Sequence, residues 1–273
     1  MSARRAQTGP RPPAVAGHFY PGEPRALKDV VGALLGEAQP TGGGEILGVI
    51  APHAGYMYSG PVAASAFAQV APTRRGFNRV LLIGPPHYLP VRGIAASSAE
   101  SFATPLGRIA VDREAVASLV DAGLAAFDDR AHAPEHSLEV ELPFLQAVLD
   151  DLTAVPLLVG DAAPEHVADV IGTLMDGRTL LVVSTDLSHY LSDREAKARD
   201  LATASAIERL DYARLGPYDA CGYAALNGAL CAAKRSGWSI ARLDLRNSGD
   251  TSGDVSRVVG YGAWAFSAPA PRA

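Results

Sequence analysis

Cysteine is scarce in this 273-residue chain, with only Cys221 and Cys231 present, so a disulfide-stapled secreted scaffold is excluded. The two thiols lie ten positions apart on what reads as one helix, about 15 Å along its axis and too far for a disulfide. No run of eighteen or so apolar residues exists, so no segment reads as a membrane span. The basic start Met1-Ser2-Ala3-Arg4-Arg5 leads into Gln7-Thr8-Gly9-Pro10-Arg11-Pro12-Pro13 rather than an apolar stretch, and it does not read as a signal peptide. A Lys/Arg stripe is also missing and the formal net charge is −5, so a nucleic-acid surface is not expected. Reduced thiols without an export signal point to the cytoplasm. What remains is 48% hydrophobic and 19% charged, the balance of a soluble globular protein with a sizeable core.

Between loose ends the chain reads as one domain over residues 14–267. Residues 1–13 and 268–273, rich in proline and small residues, are expected to be flexible tails. Continuous apolar runs at Ile46–Ile50, Val80–Ile83, Val155–Val159 and Leu180–Val183 predict strands covered on both faces. Helical patterns separate them: Pro61–Val70, Arg113–Ala122, Pro164–Asp176 ending at Gly177, and the longest, Asp193–Leu210. Near the C-terminus, Ser239–Leu245 and Val258–Phe266 alternate more and predict a sheet edge. The alternation of strands and helices argues for an α/β/α sandwich.

Three of the four buried strands run directly into reactive residues. Ala51-Pro52-His53-Ala54-Gly55-Tyr56 follows the first, Gly84-Pro85-Pro86-His87-Tyr88 the second, and Ser184-Thr185-Asp186-Leu187-Ser188-His189-Tyr190 the fourth. In open α/β sheets ligands bind outside the carboxyl ends of the strands, so His53, His87, Asp186 and His189 are expected to share one cleft. A lone loop histidine is commonly just solvated; three at equivalent strand ends form a pattern. Prolines beside His53 and His87 stiffen the backbone that presents them, as a metal site requires, although prolines also simply end strands. Cys221, near a helix N-terminus, is a candidate thiolate, ligand or nucleophile. Cys231, among Leu230, Ala232 and Ala233, reads as core filling. The segment Ala131–Phe144 opens what reads as a helix, with His136 and Glu139 on one face. It fits a functional face and a plain acidic first turn equally well.

The series Ala16-Gly17-His18-Phe19-Tyr20-Pro21, APHAGYMYSG (51–60), GPPHY (84–88), EHSLEVELPFLQ (135–146), STDLSHY (184–190), Ala220-Cys221-Gly222 and GYGAWAF (260–266) resembles the Memo family. Bacterial members carry the label AmmeMemoRadiSam system protein B. The match runs from about Arg11 to Phe266 with the motifs in the expected order. The resemblance implies a fold similar to the type III extradiol dioxygenases, non-haem iron enzymes that open catechol rings. It implies metal ligands at His53, His87 and Cys221, with Asp186 and His189 as pocket residues and His189 as acid/base. Cys221 stands where the dioxygenases have a carboxylate. A thiolate suits iron(II), copper(I) or zinc and is itself oxidisable. The resemblance gives no role for His18.

Several functions follow as expectations. The leading one is a non-haem iron redox enzyme in which His189 moves protons and Asp186 orients it or joins the metal. Zinc with an activated water would make a hydrolase instead. Without metal, Cys221, His189 and Asp186 could act as an acyl-transfer triad, leaving His53 and His87 idle. A different class is also represented in the family, adaptors that bind phosphotyrosine peptides in the same cleft. The family label further associates these proteins with a radical-SAM protein and a third protein; the small-molecule substrate is not legible.

Overall fold

The computed structural model describes residues 9–40, 45–71 and 76–269. The chain opens with a two-residue strand β1 (Pro10–Arg11), then α1 (Pro24–Glu37), β2 (Ile46–Ala51), α2 (Tyr56–Phe67) and β3 (Arg79–Gly84). Shorter pieces follow: β4 (Ile94–Ala96), β5 (Ser101–Thr104), β6 (Gly107–Val111), α3 (Arg113–Asp121), β7 (Ala126–Phe127) and α4 (Asp129–His132). A 3-10 turn at Glu139–Glu141 leads into α5 (Leu142–Val148), β8 (Thr153–Val159), α6 (Pro164–Leu174) and β9 (Thr179–Ser184). Last come β10 (His189–Leu191), α7 (Asp193–Glu208), α8 (Tyr223–Ser236), β11 (Ser239–Asn247), α9 (Gly249–Ser252) and β12 (Val258–Ser267).

The expected α/β/α sandwich is what forms, a single domain around a mixed sheet of twelve strands among the described residues. Its centre is the parallel set β8-β3-β9-β2, extended by β12 antiparallel to β2 and by β11 antiparallel to β12. Continuous apolar sequence follows from this placement, since Val80, Leu81, Leu82, Leu180, Leu181 and Val182 are all fully buried. Each such side chain is worth roughly 1.5–3 kcal/mol of burial. Helices α1, α2 and α5 pack together as one group, and α6 packs on α8. Local signals set their ends. Asp112 caps α3 by accepting from Ala115 N–H, Pro164 opens α6, and Ser192 with Glu195 forms a capping box on α7. Among the described residues no helix is long and apolar enough to cross a membrane.

Three expectations need correction. The helix placed at Pro61–Val70 runs from Tyr56 to Phe67, with Pro61 inside it. The helix expected to open at Ala131 is broken: residues 133–138 form a non-helical loop between α4 and the 3-10 turn. His136 and Glu139 therefore face different surroundings. The flexible N-terminal tail is the third. Residues 1–8 and 270–273 lie outside the described residues, but 9–13 are held in place. Pro10–Arg11 pairs parallel with β5, and Ala268 N–H donates to the Glu45 carbonyl at 2.9 Å.

Composition suggested a loose tail, but a buried ion pair overrides it. The Arg11 guanidinium, 2% exposed, meets the fully buried Glu139 carboxylate at 2.7 Å. It also donates to the carbonyls of His132 and Glu135. Glu139 in turn accepts from Ala14 N–H, Val15 N–H and the Tyr20 hydroxyl at 2.7, 3.0 and 2.6 Å. One buried carboxylate thus fastens residues 11–20 to the domain. Removing the one cation paired with it among the described residues strands the charge, so Arg11→Ala is expected to cost about 3–5 kcal/mol. Urea unfolding followed by circular dichroism would measure this, and an unchanged midpoint would show that the segment contributes nothing to stability.

Candidate metal centre

Strand order brings the reactive loops together. β9 lies between β2 and β3, with Ala51 opposite Ser184 and Ile83 opposite Val183. The residues following these three strands therefore emerge side by side. Thr185 N–H still donates to the Ala51 carbonyl, and one residue later Asp186 Oδ1 accepts from His53 N–H at 2.8 Å. Cys221 arrives from the other direction, two residues before α8 rather than on it, and its N–H donates to the Asp186 carbonyl at 3.2 Å. Gly222 makes that approach possible: a Cβ there would lie 2.8 Å from the Ser184 carbonyl oxygen.

Three imidazoles, from His53, His87 and His136, bring ligand atoms within 4.8 Å of one another. The His53 ring is buried, His136 mostly so, and His87 is partly open to solvent. His136 stacks on His87 with centroids 4.6 Å apart and meets His53 edge-on at 5.5 Å. Cys221 stands to one side, its Sγ 3.4 Å from His53 Nε2. Of the expected ligands His53, His87 and Cys221, His53 thus adjoins both others. His136, which the sequence left undecided, joins them because the loop at 133–138 is not helical.

Glu135 makes that loop. Its carboxylate accepts from His87 Nδ1–H at 2.8 Å, from His87 N–H, and from the N–H groups of His136 and Ser137 at 2.9 Å each. An ionised carboxylate only accepts, so the His87 Nδ1 carries a proton and Nε2 is the ring nitrogen left for another partner. Burial opposes the charge, but the His87 hydrogen bond and the converging N–H groups outweigh it and bring the Glu135 carboxyl down to about 2. Burial also holds His53 well below the usual imidazole range, helped by the neighbouring His87 and His136, and lowers His136 to about 4 despite Glu135. Both rings are therefore neutral near pH 7, the form that binds metals. Nδ1 of His136 is buried without a hydrogen-bond partner among the described residues.

The helix N-terminus was expected to favour a Cys221 thiolate. Burial instead pushes the thiol up to about 12, with the Asp186 charge adding to it, and the Asp186 N–H bond to sulfur does not offset them. Without a cation Cys221 is a thiol. Asp186 is itself buried, which raises its carboxyl against the pull of His189. Of the two roles expected of it, orienting His189 or joining a metal, the first has no direct hydrogen bond behind it among the described residues. His189 is exposed, and its Nδ1–H donates to the Leu187 carbonyl at 2.8 Å. Tyr190 beside it takes φ +59°, uncommon for a non-glycine residue, where the pairing of β10 with β12 is irregular. Asp200 of α7 anchors this loop by accepting from Ser188 N–H at 3.0 Å, and Gly260 leaves room, since a Cβ there would lie 1.9 Å from Asp200 Oδ2.

With this geometry established, comparison with known proteins places the chain. The profile of the Memo-like protein family matches residues 11–265. The chain belongs to the Memo family. A MEMO1 family protein of Thermotoga neapolitana is 36% identical, covering 92% of this chain and 97% of its own. One of Methanosarcina barkeri is 37% identical with 93% and 98% covered, and one of Nitrosopumilus maritimus is 32% identical with 94% and 99% covered. The matched span includes both Arg11 and Glu139 of the buried ion pair.

The Memo-family cluster yields a direct test of Glu135. Loss of the groups that orient a ligand typically costs 10- to 100-fold in metal affinity, so Glu135→Ala is expected to weaken zinc binding by about that factor. A competition titration against a chelator would read it, and undiminished affinity would show that His87 needs no anchor.

Proposed function

We propose that this Memo-family protein holds one metal ion on His53, His87 and Cys221, with His136 in reach, and that it is a non-haem iron redox enzyme. The supporting observation is the donor set: three clustered imidazoles, those of His53 and His136 neutral, with the Cys221 thiol beside His53. The 3.4 Å from Cys221 Sγ to His53 Nε2 is near the ~3.6 Å that a tetrahedral ion with bonds near 2.1 and 2.3 Å imposes on its nitrogen and sulfur. The histidine atoms, within 4.8 Å, need to close by up to about 1.4 Å to meet bonds of that length. The residues fit iron(II), copper(I) or zinc, and iron(II) is the ion we assign. When bound, the ion would supply Lewis-acid and one-electron chemistry and would lower the Cys221 pKa.

The protein's own groups divide the remaining work. His189, exposed and with Nδ1–H committed to Leu187, offers its Nε2 to move a proton to or from a substrate. Asp186 fixes the His53 backbone. Phe19 packs 4.8 Å from the His136 ring and Tyr88 meets it edge-on at 5.8 Å, so a small-molecule substrate would enter past aromatic surfaces. Ring-opening dioxygenase chemistry of the two-His-one-carboxylate type lacks its carboxylate here, because Glu135 is spent on His87 and Asp186 on His53 N–H. The three clustered imidazoles favour one second reading, a hydrolase with zinc on His53, His87 and His136. Both free thiols suit a reducing cytoplasm.

Metal analysis of protein purified without oxygen, before any chelator, is expected to find near-stoichiometric iron. His53→Ala and Cys221→Ser should lose most of it, while His189→Ala should keep it and lose turnover. Stoichiometric zinc would support the hydrolytic reading, and metal-free protein that takes up neither ion would sink both.

A further inference from the structure

Beneath the histidine cluster, Ser184 has three partners and one hydroxyl proton. Its Oγ lies 2.6 Å from the Ser137 carbonyl, 2.7 Å from His53 Nδ1 and 2.9 Å from Glu141 Oε1. The carbonyl can only accept, so the hydroxyl proton goes to it. If Ser184 donated anywhere else, two oxygen lone pairs would face each other at 2.6 Å. Both other partners must then bring protons of their own: His53 an N–H on Nδ1, and Glu141 an O–H.

The surroundings of Glu141 agree. Its side chain is fully buried, no cation pairs with it among the described residues, and its Oε2 has no hydrogen-bond partner. An ionised carboxylate here would be an uncompensated buried charge, far costlier than one unused lone pair on a neutral acid. Burial correspondingly pushes the Glu141 carboxyl well above its usual range. The nearby buried carboxylates behave differently because they have donors: Glu139 has Arg11, and Glu135 has four N–H groups.

We propose that Ser184 and an un-ionised Glu141 are positioning residues that lock His53 in the tautomer with its proton on Nδ1, leaving the Nε2 lone pair facing Cys221 and the cluster. Its use in metal binding rests on the assignment of His53 as a ligand, but the lock itself is a property of the metal-free protein. Two histidines are thus prepared by opposite means, His87 by a carboxylate anion and His53 by a hydroxyl whose remaining lone pair is filled by a carboxylic acid.

The test reads the lock first and the metal second. In metal-free protein near pH 7, nitrogen NMR of the His53 imidazole should show a single tautomer protonated on Nδ1. Ser184→Ala should give a mixture of tautomers. The infrared difference between wild type and Glu141→Gln should contain the carbonyl band of a protonated carboxylic acid. In zinc titrations, Ser184→Ala should weaken binding about 10- to 100-fold, while Glu141→Gln, whose amide N–H donates in place of the acid, should stay within about threefold. A wild-type His53 protonated on Nε2, a purely carboxylate signal for Glu141, or unchanged zinc affinity in Ser184→Ala would each overturn the proposal. Should Ser184→Ala fail to fold, the wild-type nitrogen and infrared spectra still decide. Protein that binds no zinc but shows both the Nδ1 proton and the acid band would refute the metal assignment and uphold the lock.

Discussion

The hydrogen-bond ladder that seats β9 between β2 and β3 is the constraint on which the rest depends. Parallel strands in register end at one level, and here three neighbouring strands release their loops at the same rim. The ladder even runs on past the strands: Thr185 N–H reaches Ala51, and Asp186 reaches back to His53 N–H. Backbone positions are therefore set by the central strands of the sheet, which are buried on both faces. Only the side-chain orientation of each ligand remains to be fixed.

That second task falls to buried polar groups, and each meets its desolvation cost differently. Glu139 is compensated by a guanidinium and three further donors. Glu135 is compensated by N–H groups converging from His87, His136 and Ser137. Asp200 has Ser188 N–H and a glycine-made space beside β12. Glu141, with none of these, is cheapest as a neutral acid. All but Asp200 come from the stretch 135–141, so one short loop and turn supplies the N-terminal anchor, the His87 clamp and the support beneath His53. The loop is not helical because its N–H groups serve Glu135 instead of a helical ladder.

The donor set also bears on which ion the cluster would suit. Carboxylates are abundant around the cluster, but Glu135 holds the His87 ring, Asp186 the His53 backbone and Glu139 the N-terminal segment. What the cluster itself offers is imidazole, neutral at His53 and His136, with a thiol beside it. Such a set favours softer ions than an oxygen-rich one does, and the thiol ionises only when a cation offsets its burial.

Much of this protein could be read along the chain. The four central strands, the α/β/α arrangement and the strand-end positions of His53, His87 and Asp186 follow from apolar runs and the residues that end them, because a buried parallel sheet writes its period directly into sequence. The short strands β4 to β7 and the ordered Pro10–Arg11 were not legible, since partners far away in sequence stabilise them. His136 and Glu139 looked like neighbours on one helix face; tertiary structure sent one to the histidine cluster and the other to Arg11. Cys221 looked poised for ionisation from its place near a helix, yet burial beside Asp186 decides otherwise. Sequence by itself determined which residues leave the strand ends, since that depends on local hydrophobic pattern. Only the tertiary structure decided what each does there, since charge, protonation and tautomer depend on how far water is excluded and on which donors distant segments bring within three ångströms.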